Sequence, residues 1–239
     1  MATQDKLGAL PSRERGELDK LVAAAKKALG DKLISVIVHG SAARGDYRPG
    51  RSDVDVVVVV DGATLADLEA LGDPLAIARW SARIEAMILE ASEIAGAGDA
   101  FPLFYDELAR THVVVHGKDA FAGVKVEDQH RRLRIEQELR DARIRLRRVA
   151  ADSLGKPDAL GGAVERKLRQ LRSPLGALLS LRGEAAPDDL ASVLAGCKAA
   201  WSVDVAPLEN LRERPREAFA ALVALLDAAI EDVDARGRS

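Results

Sequence analysis

The chain has 239 residues, 48% hydrophobic and 31% charged, with a formal net charge of −3. That composition allows one large soluble domain or two small ones, and the slight acidity argues against a protein that coats nucleic acid through bulk charge. Aromatic residues make up only 3%, too few for the stacking platforms of single-strand binders, and Cys197 is the lone cysteine, so no internal disulfide can form. No apolar run approaches the roughly 20 residues that span a bilayer, and Met1 to Lys6 shows no signal-peptide core, so the expected location is the cytoplasm.

In chain order, Pro11 to Leu29 reads as a helix, with Ser12 as N-cap, Glu14 and Glu17 early, Leu18, Leu21, Val22 and Leu29 at helical spacing, and Gly30 as the stop. Leu33 to Val38 is an apolar, β-branched strand. Gly40-Ser41 breaks it, Ala42 to Arg44 can start a short helix, and Gly45 to Gly50 forms a loop. A second strand follows, headed by Asp53 and Asp55 and continuing through Val56 to Val60. Five consecutive valines require cover on both faces, which makes this a central strand. Side chains two apart on a strand share a face, so both carboxylates point the same way, within reach of one divalent cation. Gly40 lets a polyphosphate approach the main chain, and Ser41 adds a hydroxyl beside the amides of the following helix.

Beyond Asp61-Gly62, two helical pieces are expected, Leu65 to Leu71 and Pro74 to about Ala82, the second opened by Asp73-Pro74. From Arg83 to Leu89 the residues leave two readings open. Trp80, Ile84, Met87, Ile88 and Ala91 recur at helical spacing, whereas as a strand Glu85, Met87 and Leu89 would share a face. A loop at Gly96 to Asp99, a short helix from Phe101-Pro102 to Leu108, and a strand from Thr111 to His116 follow. His112 and His116 could share a strand face, but two histidines without a third ligand do not make a zinc site. From Glu127 onward only helical periods occur, over 127–153, 160–182, 187–202 and 215–235, which reads as an up-and-down bundle. Its first helix is dense in arginine, from Arg131 to Arg148, and the reading favoured is a solvated face paired with Glu136, Glu138 and Asp141, the alternative being cations that hold phosphates or an anionic acceptor. No P-loop and no dinucleotide fingerprint is present.

The run from Gly40 to Asp55, G-S-x-A-R-G-D-x-R-P-x-x-S-D-x-D, resembles the hallmark of the polymerase-β-like nucleotidyltransferase superfamily, especially its bacterial minimal nucleotidyltransferases and aminoglycoside adenylyltransferases. The resemblance covers about a tenth of the chain. It implies an α/β fold, a mixed-sheet nucleotidyltransferase core at 1–125, followed by an all-α helical bundle at 126–239, with the site facing the cleft between them. In many relatives the core ends in a strand followed by Gly-Lys-Asp, as at Gly117 to Asp119. The resemblance also implies a third strand carrying a third carboxylate, for which Glu85 is best placed.

The activity so implied is Mg²⁺-dependent transfer of a nucleoside monophosphate, AMP from ATP or the equivalent from another nucleoside triphosphate, to an unidentified acceptor with release of pyrophosphate. Asp53, Asp55 and Glu85 would be catalytic and hold two Mg²⁺ ions, while Gly40, Ser41 and Arg44 would bind the nucleotide phosphates. The acceptor could be a small molecule, a protein or an RNA. The competing reading is a nucleotide-binding or antitoxin-like partner-binding module that keeps the fold with little turnover. Helical ribonuclease partners of minimal nucleotidyltransferases carry an Arg–His signature, and no histidine lies beyond His130, which argues against a nuclease role for the bundle.

Overall fold

A computed structural model describes residues 7–184, 187 and 189–237. Their contacts divide them into two compact units, one up to residue 100 together with 104–125, the other 101–103 together with 126 onward.

In the first unit, α1 (Ser12–Leu29) leads through a single 3-10 turn into β1 (Leu33–His39), then α2 (Gly40–Arg44), β2 (Val54–Val60), α3 (Leu65–Ala82), β3 (Ile84–Glu90), α4 (Ala91–Ile94), α5 (Pro102–Arg110) and β4 (Val113–Gly117). The four strands form one mixed sheet in the order β3-β2-β1-β4. β1 pairs antiparallel with β2 and β4, whereas β3 lies parallel to β2, a pairing that needs the crossover supplied by α3.

The valine run occupies the expected central strand and is covered on both faces. Val54, Val56, Val58 and Val60 join a core with Leu18, Leu21 and Ala25 of α1 and Leu71 and Ala78 of α3. Val57 and Val59, on the other face, are equally buried. The segment left open between helix and strand is a strand. Pairing with β2 decides this, because Ile84 to Glu90 take partners from Val54 to Val60 residue for residue.

Three local expectations are corrected. Ser12 lies inside α1 rather than capping it, and Pro11 occupies the cap position without a side-chain bond. The two pieces expected on either side of Asp73-Pro74 are one helix. Thr64 and Asp67 cap it reciprocally, and Pro74 lies within it, leaving only the Ala70 carbonyl without its usual donor. β4 begins at Val113, so His112 stands outside the strand and does not share a face with His116 through it.

The second unit is helical: α6 (Asp128–Asp152), α7 (Pro157–Ser180), α8 (Leu190–Trp201) and α9 (Pro215–Arg236), with a 3-10 turn at Ala206–Leu208. α7 opens at Pro157, where proline costs no helical hydrogen bond. The expected 187–202 helix starts at Leu190, with Asp189 capping Ser192. Leu139, Leu146, Leu168, Leu175, Cys197, Leu222 and Leu226 share one buried core. The arginines of α6 face acids at the surface: Arg132 and Arg140 meet Glu136, Arg134 meets Glu138, Arg145 meets Asp141, and Arg143 meets Asp227 of α9.

Candidate active site

β1 ends where the main chain must turn sharply, and the site is built at that end of the sheet. His39 of β1 stands opposite Asp55 of β2, and Asp55 stands opposite Glu85 of β3. Residues opposite one another on neighbouring strands share a face. The three side chains therefore form a lateral row across three strands. Asp53 stands just before β2, two residues ahead of Asp55 and separated from it by the buried Val54, and its negative charge bears on Asp55.

Asp55 is the most enclosed acid of the row. Burial pushes its carboxyl up to about 6, and the negative charges of Asp53, Glu107 and Glu85 push the same way against the opposing pull of Arg44. His39 is driven down to about 4 by burial, so it is neutral near pH 7. Its ring meets Phe104 edge-on at 5.8 Å.

Gly40 follows His39 with φ of +65°, a backbone conformation that a side chain strains. A Cβ there would stand 2.2 Å from the Asp55 carboxylate oxygen. The glycine therefore makes room first for Asp55, ahead of any ligand. Ser41 forms the first turn of α2, and its carbonyl accepts from the amides of Gly45 and Asp46.

Arg44, expected to reach phosphate, is 9% exposed, bonded to Glu107 of α5 at 2.6 Å and near Asp46 at 3.4 Å. In this arrangement it ties α2 to α5 and places positive charge near Asp55. The two outer acids each meet an arginine from the C-terminal end of α3. Arg83 bonds Asp53 at 2.8 Å, and Arg79 bonds Glu85 at 2.9 Å. Among the described residues no three histidine, cysteine or acidic side chains converge as a ready metal cage. The donor set nevertheless suits a hard cation, since it is all carboxylate oxygen and its central member is crowded by like charge. Asp53, Asp55 and Glu85 could hold Mg²⁺ there.

Sequence reasoning missed Glu107, Arg79 and Arg83, and gave His39 no role. Only the helical phase of α3 relative to β3 brings the arginines over the acids, and no motif records that. Of the two histidines weighed for zinc, His112 is engaged otherwise. His112 places Nδ1 at 2.6 Å from the Leu108 carbonyl and Nε2 at 3.0 Å from Asp119.

The nucleotidyltransferase domain family model matches residues 18–143, which is more than half of the chain. The chain belongs to this family and is a nucleotidyltransferase. Among solved structures it is similar to a spectinomycin adenyltransferase of Enterococcus faecialis, crystallised with ATP and spectinomycin. The TM-score is 0.57 at 14% identity, over 92% of this chain and 99% of that one, which establishes a shared fold. No curated protein matches the chain. No helix among the described residues is long and apolar enough to cross a membrane.

Proposed function

We propose that the chain transfers AMP from ATP to a hydroxyl group of an acceptor and releases pyrophosphate. The observation that carries this reading is the lateral row: Asp55 and Glu85 stand side by side on parallel strands, with Asp53 beside them. In the reaction a bond forms between the acceptor oxygen and the α-phosphorus, the bond from that phosphorus to the pyrophosphate oxygen breaks, and the hydroxyl proton leaves. Glu85, 45% exposed at the outer end of the row, would either complete the metal site or take that proton. Bound Mg²⁺ would supply charge neutralisation at the α-phosphate and the departing pyrophosphate. Asp53, Asp55 and Glu85 are the residues that would hold it, with Gly40 and Ser41 as the floor beneath the β- and γ-phosphates.

Little else is asked of the protein in phosphoryl-type transfer beyond positioning and charge. The adenyltransferase similarity runs through both the sheet unit and the helical one, which favours a small hydroxylated acceptor over a macromolecule. The reading as a silent partner-binding module draws no support from the register, which sets Glu85 beside Asp55. The test is pyrophosphate release from ATP with Mg²⁺ against pooled aminocyclitols, RNA and protein. Acceptor-dependent release that Asp55→Asn abolishes supports the proposal, and no acceptor-dependent release from any pool counts against it.

A further inference from the structure

The carboxylate row is already partly neutralised by the protein's own side chains. Arg79 is in the last turn of α3, and Arg83 is its C-cap residue, held at φ of +52° with its amide bonded to the Ala78 and Arg79 carbonyls. That cap, with the bond from the Val54 amide to the Arg83 carbonyl, fixes the start of the Arg83 side chain beside the head of β2. From one helix end the two guanidiniums reach the two outermost acids, Arg83 to Asp53 and Arg79 to Glu85. They take the two half-exposed members and leave the more enclosed Asp55 unbridged. The pairing therefore follows solvent access: the acids that a cation from solution reaches first are those the arginines occupy.

We propose that Arg79 and Arg83 are resident counter-ions of the metal site, seated on Glu85 and Asp53 until a divalent cation takes those oxygens. Metal entry is then an exchange of cations. The released guanidiniums stay at the rim of the site, tethered to α3, where they can pair with the phosphates of an incoming nucleotide. This rests on the reading of Asp53, Asp55 and Glu85 as metal ligands. Both ion pairs are half-exposed, so each guanidinium is a weak competitor that yields to a divalent ion. Exposed pairs are worth about 0.2–1 kcal/mol, and removing one competitor should tighten metal binding roughly 1.4- to 5-fold.

The experiment titrates Mn²⁺ into the nucleotide-free 239-residue chain and follows free Mn²⁺ by electron paramagnetic resonance. Arg83→Gln and Arg79→Gln are each expected to tighten Mn²⁺ binding roughly 1.4- to 5-fold, and the double variant further. Arg83→Lys keeps the charge and should stay near wild type. Arg51→Gln, which removes a nearby arginine with no ion pair to the row, controls for long-range charge and should change nothing. Unchanged or weaker binding in both glutamine variants overturns the proposal, as does equal tightening by Arg51→Gln. Asp53→Asn separates the two readings. It should weaken Mn²⁺ binding at least tenfold, and an unchanged affinity there removes the metal reading itself and this inference with it.

Discussion

Asp55 carries the sharpest prediction at the scale of single residues. Its carboxyl sits at about 6 instead of the ordinary 3.8, so between roughly pH 4 and 6 the folded chain binds more protons than the unfolded one. Metal-free stability from this group is therefore fully present below pH 4 and is lost as pH rises through 6. His39 acts oppositely: held near 4, it costs stability as pH falls below 6.5. The difference between wild type and Asp55→Asn isolates the first effect. Without metal, Asp55→Asn should melt higher than wild type above pH 6, the gap closing towards pH 4, while saturating Mn²⁺ should stabilise only the wild type. Thermal melts at pH 4, 6 and 8 decide it, and a variant that melts lower at pH 8 contradicts the account. Gly40→Ala is expected to lower both the melting temperature and Mn²⁺ affinity, because its Cβ meets the Asp55 carboxylate before any phosphate. Ser41→Ala should spare the melt and weaken ATP roughly ten- to a hundredfold, the loss of a hydrogen bond to a charged oxygen. Its effect on AMP should be much smaller, and calorimetric titration with both nucleotides checks this.

Between elements, the Arg44–Glu107 pair ties the turn after β1 to α5. With Arg44 almost fully buried, removing Glu107 leaves a cation short of its partner, a situation that costs about 3 kcal/mol. Glu107→Ala should therefore destabilise strongly in urea unfolding, and Arg44→Ala similarly. If Arg44 were instead a free phosphate contact, Glu107→Ala would leave stability unchanged and tighten ATP binding. At the start of α3, Thr64→Ala removes one half of a capping box and is expected to cost about 1 kcal/mol.

For the molecule as a whole, the two compact units lead us to expect separable domains. Limited proteolysis should cut first within 122–127, ahead of α6, or at Leu154 to Lys156, between α6 and α7. Phe121 is buried and its amide is bonded to Asp119, which protects the chain before that point. Early cleavage within 33–60 contradicts this division. In the helical unit, burial pushes the Cys197 thiol up to about 12. It should resist a thiol reagent at pH 8 in the native chain and react once unfolded.

Much of this protein is decided by short-range chemistry, and that part was open to reading. Five valines demanded a covered central strand, Asp53 and Asp55 stood together at its head, and Gly40-Ser41 marked the turn. The helical unit followed from its 3.6-residue periods and proline breaks. Local pattern failed where two elements compete for the same residues. Ile84 to Glu90 fit helix or strand equally by spacing, and only pairing with β2 chose the strand and brought Glu85 beside Asp55. Asp73-Pro74 looked like a helix start, but packing of α3 against α1 and the sheet keeps one helix through Pro74. The partners of the charged groups lay furthest beyond reach. Arg44 with Glu107, Arg83 with Asp53 and Arg79 with Glu85 lie 63, 30 and 6 residues apart. Charge pairing has no sequence period, because it depends on which helix end is folded over which strand end, and that is fixed only when the hydrophobic faces close.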